Sequence, residues 1–184
     1  MARRIVVGLT ALVLSALPLA ASTFVHMSPE ELVAGSDAVI RGKVVEVHSF
    51  WDAAGKLIHT EALVRVEERL IGEAPGFVTL RTVGGTVGSY TVEAHGFPEF
   101  RRNESLIAFI RHGGDGTAAI VGYREGQFRV MRSPEGQVWA MPMVEGRYLT
   151  RDGREAPPAR AMTLDEFRGR IHAIGRALDR EPVQ

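Results

Sequence analysis

The sequence predicts a mostly β fold, a small closed barrel or a sandwich, with a short helix before the strands and an amphipathic helix after them. Three observations carry this expectation. In the middle of the chain apolar residues recur at period two or in short unbroken runs, Gly, Pro, Asp and Ser interrupt them at regular intervals, and a helical period appears only at the two ends.

Ahead of the fold, Arg3 and Arg4 begin a short positive stretch, and residues 5–19 are apolar except for Gly8, Thr10, Ser15 and Pro18. Ala20-Ala21-Ser22 then supplies small residues at a cleavage position. This three-part layout predicts a signal peptide over residues 1–22, cut after Ser22 or, one residue earlier, after Ala21. The apolar run is shorter than the roughly 20 residues that cross a bilayer, so no stable membrane anchor is expected after cleavage. The Arg pair lacks the neighbours of a twin-arginine signal, and a chain without cysteine has no site for a lipid-modified N-terminus. The expected location is periplasmic or secreted, with a mature chain beginning Thr23-Phe24-Val25-His26.

Cleavage removes two arginines and no acid, leaving 20 Lys and Arg against 22 Asp and Glu, a formal charge of −2. Nucleic acid is not expected as a partner, since phosphate binding needs a clustered cationic excess. With no cysteine there is neither a disulfide nor a thiolate site, so stability has to come from the core.

Four segments are expected: the signal peptide at 1–22, a β-barrel domain at 23–144, a loop at 145–161 and a packed C-terminal helix at 162–184. Ser28-Pro29-Glu30-Glu31 combines an N-cap serine, a proline at the first helical position and a glutamate three residues after the cap, and Gly35 supplies a stop. From Ala38 to His48 a β-branched run reads as a strand, with Gly42 where a barrel strand bends. Asp52 to Lys56 makes a turn, after which Ile58, Thr60, Ala62, Val64 and Val66 alternate with polar residues in a second strand. Residues 77–83 form a third, 84–88 a flexible glycine-rich turn and 90–94 a fourth. Residues 106–110 are continuously apolar, which marks a strand buried on both faces. Residues 118–123, 127–131 and 138–141 complete a meander, with Ser133-Pro134-Glu135-Gly136 as the last turn. Pro157-Pro158 sits in the polar 145–161 loop. Thr163-Leu164-Asp165-Glu166 opens the last helix, and Leu164, Phe167, Ile171, Ile174 and Leu178 give it a core-facing stripe.

The order of Ser36-Asp37-Ala38-Val39-Ile40-Arg41-Gly42-Lys43-Val44, a long hairpin, and Val64-Arg65-Val66-Glu67-Glu68-Arg69-Leu70-Ile71-Gly72 resembles an uncharacterised family of exported bacterial proteins. The Gly84–Gly88 run, Gly96-Phe97-Pro98-Glu99-Phe100 and an apolar strand after Asn103-Glu104 follow in the same order, so the likeness covers about residues 24–131. More distantly, a Ser-Asp entering a Val-Ile-Arg-Gly-Lys-Val strand is similar to the netrin-like module of tissue metalloproteinase inhibitors. That resemblance implies an OB-like, five-stranded small closed β-barrel with helices packed on it. The inhibitors chelate zinc through an N-terminal cysteine that this chain lacks, so their inhibitory residues do not carry over.

Catalytic signatures are sparse. HExxH is absent, and Ser89 lacks the second glycine and the following helix of a nucleophile elbow. The glycine run at 84–88 precedes a strand, so no helix N-terminus completes a phosphate cradle there. The acidic residues Glu67, Glu68 and Glu99 are dispersed among arginines as a solvated face. Phe50 and Trp51 at the hairpin tip, and Phe97, Phe100 and Arg101 in one loop, are the candidate protein contacts; the aromatics of the second group also suit a strap that closes the barrel. The function expected is therefore an exported, non-enzymatic binding module that contacts another extracytoplasmic protein, such as a peptidase, with no metal and no cofactor. The alternative is a small metal-dependent hydrolase using His48, His59 and His95 across the first hairpin.

Overall fold

The computed structural model describes residues 25–144 and 148–179; the expected signal peptide, residues 145–147 and the end of the expected last helix lie outside the described residues. Among the described residues the chain is mostly β, with one short N-terminal helix and one C-terminal helix. No described helix is long and apolar enough to cross a membrane.

Helix α1 spans Pro29–Gly35. Its capping box forms as expected: the Glu31 amide donates to Ser28 Oγ at 3.2 Å and the Ser28 amide donates to Glu31 Oε2 at 2.8 Å. Leu32 and Val33 are buried. Just ahead of the helix, the Met27 amide donates to Oε2 of the buried Glu125 at 2.8 Å, and His26 Nδ1 lies 2.5 Å from Oε1 of the same carboxylate. One carboxylate thus pins two consecutive residues.

Strand β1 runs from Ala38 to Trp51 and pairs antiparallel along its length with β2, Ile58–Ile71. Gly42 sits at a register shift between Arg41 and Gly42, where a Cβ would lie 2.5 Å from the Arg65 carbonyl oxygen and 2.6 Å from Val64 Cγ1. The pairing at this register shift therefore depends on close backbone approach, which only glycine permits. β3, Phe77–Val83, continues the sheet from β2.

After β3 the structure departs from expectation. Gly84-Gly85 is no flexible turn: β4, Gly85–Val87, and β5, Tyr90–Val92, form a separate two-stranded ribbon whose turn lies at Gly88 and Ser89. A Cβ on Gly85 would sit 2.2 Å from Thr60 Oγ1 and 2.5 Å from Ser49 Oγ. The glycine lets the ribbon press onto the Ser49–Thr60 rung.

β6, Ser105–His112, pairs with β1 through Ala38–Ile110 to Lys43–Ser105. β7, Thr117–Ile120, pairs antiparallel with β6 and, through Thr79–Thr117 and Leu80–Ala118, parallel with β3. The pairings thus pass from β1 through β2, β3, β7 and β6 and back to β1. The expected meander does not occur. The strand stops at Ile120 because Gly122 and Tyr123 both adopt positive φ, 70° and 54°, and a 3-10 turn follows at Tyr123–Gly126. β8, Gln127–Arg132, then returns to β6 rather than to β7. β9, Val138–Pro142, extends the sheet from β8, and the turn between them closes with the Gly136 amide donating to the Ser133 carbonyl at 2.9 Å.

The chain expected as a plain loop carries order of its own. Leu149 bridges both Val25 and Glu155, and Tyr148 and Ala156 are buried. Met162 and Thr163 form a short strand, β10, on β9 rather than the first turn of a helix. Helix α2 begins behind it and covers Leu164–Ala177, with the Glu166 amide donating to Thr163 Oγ1 at 3.2 Å.

Two hydrophobic cores result. Ile40, Val44, Val64, Leu80, Leu106, Ala108 and Ile110 pack together inside the circuit of strands. Val39, Ile71, Ile107 and Phe109 point the other way and meet Phe167, Ile171 and Ile174 of α2. The unbroken apolar run of β6 is explained by this division: alternate residues serve alternate cores. The outer core is aromatic, with the Phe128 and Phe167 rings 4.9 Å apart and each 6.3 Å from Phe109. Leu178 is 40% exposed and lies off the stripe. Glu68 ties α2 to the sheet, accepting from Arg168 Nε at 2.6 Å and Arg41 Nε at 2.8 Å.

Candidate functional site

The β1–β2 turn is rigid because Asp52 organises it. Its Oδ1 accepts from the Lys56 amide at 2.6 Å and the Leu57 amide at 3.2 Å, its own amide donates to the Leu57 carbonyl, and Gly55 takes φ 66°. The amide donations, from Lys56 above all, hold the Asp52 carboxyl below the ordinary carboxylate value. At the root of this turn Trp51 pairs with Ile58. Trp51 is 38% exposed, and its ring meets edge-on the ring of Tyr90, 65% exposed, at 5.8 Å. Leu57, in the same turn, is also exposed. Two hairpins therefore present one apolar end, built on a turn that has little freedom left to lose.

Phe50 is not part of that end. Successive strand residues point to opposite faces, and Phe50 stacks between His48, at 5.9 Å, and His59, at 6.1 Å, on the other side of the ladder. The guanidinium of Arg81 lies 6.0 Å from its ring centroid. Arg81 is fixed there by Glu61 Oε1 at 2.6 Å and by Asp115 Oδ2 at 2.5 Å. Thr117, with its hydroxyl and amide, and then Arg81 push the Asp115 carboxyl down to about 2. Phe50 is thus a half-buried packing residue within a charged ladder.

The imidazoles of the alternative reading are separated by the same ring. Phe50 stands between His48 and His59, and His95 is exposed in the 93–96 stretch after β5. Among the described residues no group of three or more His, Cys, Asp or Glu side chains is arranged to hold a metal ion.

Phe97, Phe100 and Arg101 lie on a segment that crosses from the β5 side to β6. The Phe97 ring packs edge-on against Tyr123 at 4.8 Å, and its carbonyl accepts from Nε of the buried Arg124 at 2.8 Å. Pro98 is buried, Gln127 Nε2 donates to the Glu99 carbonyl at 2.8 Å, and Phe100 packs against the inner core. This segment has the character of a strap, with Arg101 exposed at its end. Beside it Glu104 is largely enclosed; desolvation pushes its carboxyl above the ordinary value, with Arg129 Nε 3.7 Å away.

Of the candidate contacts, then, Phe50 and Trp51 are neighbours in sequence on opposite faces, while Phe97 and Phe100 belong to the strap. Tyr90 was not singled out by sequence. Its signal was modest: an aromatic directly after the Gly88-Ser89 turn, in position to meet the aromatic of another hairpin. Compared with known proteins, the chain matches no family model, no curated protein and no solved structure.

Proposed function

We propose that this chain is an exported binding module of the OB type, without catalytic activity of its own, that holds another exported protein at the apolar end made by Trp51, Leu57 and Tyr90. Support for the OB reading comes from the circuit of pairings, β1-β2-β3-β7-β6 and back to β1, with β3 and β7 parallel. OB barrels are five-stranded, and the loop between their first two strands is a recurrent binding element. Here that loop begins directly after Trp51 and carries Leu57. Support for export comes from the layout of residues 1–22.

The observation that carries the reading is the Trp51–Tyr90 pair, exposed yet mutually packed on a turn fixed by Asp52. Rigid, solvent-facing aromatics are the side chains that most often anchor protein contacts, because little conformational entropy is lost when they are buried. The test is photo-crosslinking from position 51 in the envelope or culture fraction. The same adduct should form from position 90; the position-51 adduct should be lost in Tyr90→Ala protein and the position-90 adduct in Trp51→Ala protein. An adduct that persists in both variants would overturn the assignment of this end as the contact surface.

A further inference from the structure

The parallel register between β3 and β7 holds only Thr79–Thr117 and Leu80–Ala118. Beyond it β3 runs on through Arg81, Thr82 and Val83 and β7 through Ala119 and Ile120, with no pairing between them. The direction of their backbone groups follows from the neighbouring ladders. The Gly84 amide donates to the Ile58 carbonyl of β2, so Val83, one residue earlier, turns its amide the opposite way, into the seam. The Val121 amide donates to the Phe109 carbonyl of β6, so Ile120 likewise turns its amide into the seam. Two strand edges face each other with donors and acceptors that no strand among the described residues takes up.

A groove of about 450 Å³ lies along this seam, with walls that include Val83, Ala119, Ile120, Phe97, Pro98 and Tyr123. Its two rims differ in charge. Arg81 is occupied by Glu61 and Asp115. Arg111 is exposed and donates through Nε, at 2.9 Å, and through Nη2 to the Gly35 carbonyl, which leaves Nη1 for a ligand, and among the described residues no carboxylate lies within ion-pair distance of it. Open strand edges take up an extended chain by main-chain pairing, apolar walls select apolar side chains at every second position, and a guanidinium without a carboxylate selects one from the ligand.

We propose that the β3–β7 seam is a second binding site, separate from the Trp51–Tyr90 end, that takes an extended peptide strand with alternating apolar residues and a carboxylate at the Arg111 rim. The inserted strand continues the pairing that stops at Leu80 and Ala118.

The test is fluorescence anisotropy of the full chain with a fluorescein-labelled hexapeptide, glutamate followed by alternating valine and threonine. Saturable binding is expected. Ala119, exposed and opposite Arg111 in the β6–β7 register, accepts a larger side chain without disturbing the core. Ala119→Glu brings a competing carboxylate to Arg111 and should weaken binding about tenfold or more. Val83→Pro deletes a seam-facing amide while leaving the β2 ladder intact and should weaken it similarly; if that variant fails to fold, Ala119→Glu alone decides. Trp51→Ala should leave this binding unchanged, which separates failure here from failure of the first site. Absence of saturable binding, indifference to both seam variants, or a groove that takes sodium laurate but not the peptide would each overturn the proposal.

Discussion

The two halves of β1 share a backbone and a partner in β2 but little else. From Ala38 to Lys43 the strand has β6 on its other edge, and Ala38, Val39 and Ile40 are fully buried between two cores. From Glu46 to Trp51 the β6 pairing has ended, the side chains are half-buried or exposed, and the strand leads into the turn that carries the aromatic end. One half is thus buried scaffold and the other leads to the proposed contact end. Substitutions in the first should register in stability, and substitutions in the second in binding.

The sharpest test of this contrast is Ile40→Ala, which leaves a cavity in the inner core and should cost about 2–5 kcal/mol, read from denaturant unfolding. Next comes Gly42→Ala. The added Cβ meets the Arg65 carbonyl and Val64, so backbone has to move, and a loss of about 1–3 kcal/mol is expected by the same measurement.

Two carboxylates on the scaffold side should give pH dependences of opposite sign. Arg168 foremost, then Arg41, holds the Glu68 carboxyl low. Its stabilising contribution is therefore present above the ordinary glutamate value, near 4.5, and is lost as the pH falls through the lowered value. Burial holds Glu104 high, so its contribution is greatest when it is protonated and declines as the pH rises above 4.5 through the raised value. Thermal melts across this range should show that Glu68→Gln reduces the stability gained on leaving acid, whereas Glu104→Gln removes the decline and is no less stable than the parent at neutral pH. The reverse pattern would contradict both assignments. The smallest stability effect belongs to the half that leads to the proposed contact end. Trp51→Ala should cost about 1 kcal/mol of unfolding free energy, chiefly the lost packing on Tyr90, while removing the proposed protein contact.

Much of the scaffold half was legible in sequence because its signals are local. The capping residues Ser28 and Thr163, the alternation from Ile58 to Val66, and the unbroken run from Leu106 to Ile110 each state their environment within a few residues. What stayed hidden depends on chain segments far apart. Gly84-Gly85 reads as a flexible turn unless the Ser49–Thr60 rung beneath it is known. The parallel β3–β7 contact joins strands with β6 between them in sequence, and the strap obscures the fact that β8 returns to β6. At the site, Trp51 was legible as a hairpin-tip aromatic, but its partner Tyr90 comes from a different hairpin. Phe50, equally aromatic and adjacent in sequence, is taken up by His48, His59 and Arg81, and no local pattern announces that stack.

The dual pairing of β1 also sets a timetable. A chain emerges from its N-terminus, and the β1–β2 hairpin is local enough to form early, but the inner edge of β1 from Ala38 to Lys43 is completed only when β6 arrives. Until then an apolar strand edge with Val39 and Ile40 on it stands open, and closing the circuit requires ordering the whole intervening chain. Folding should accordingly be slow relative to helical proteins of this size, with its greatest aggregation hazard in the interval between synthesis of Trp51 and of His112.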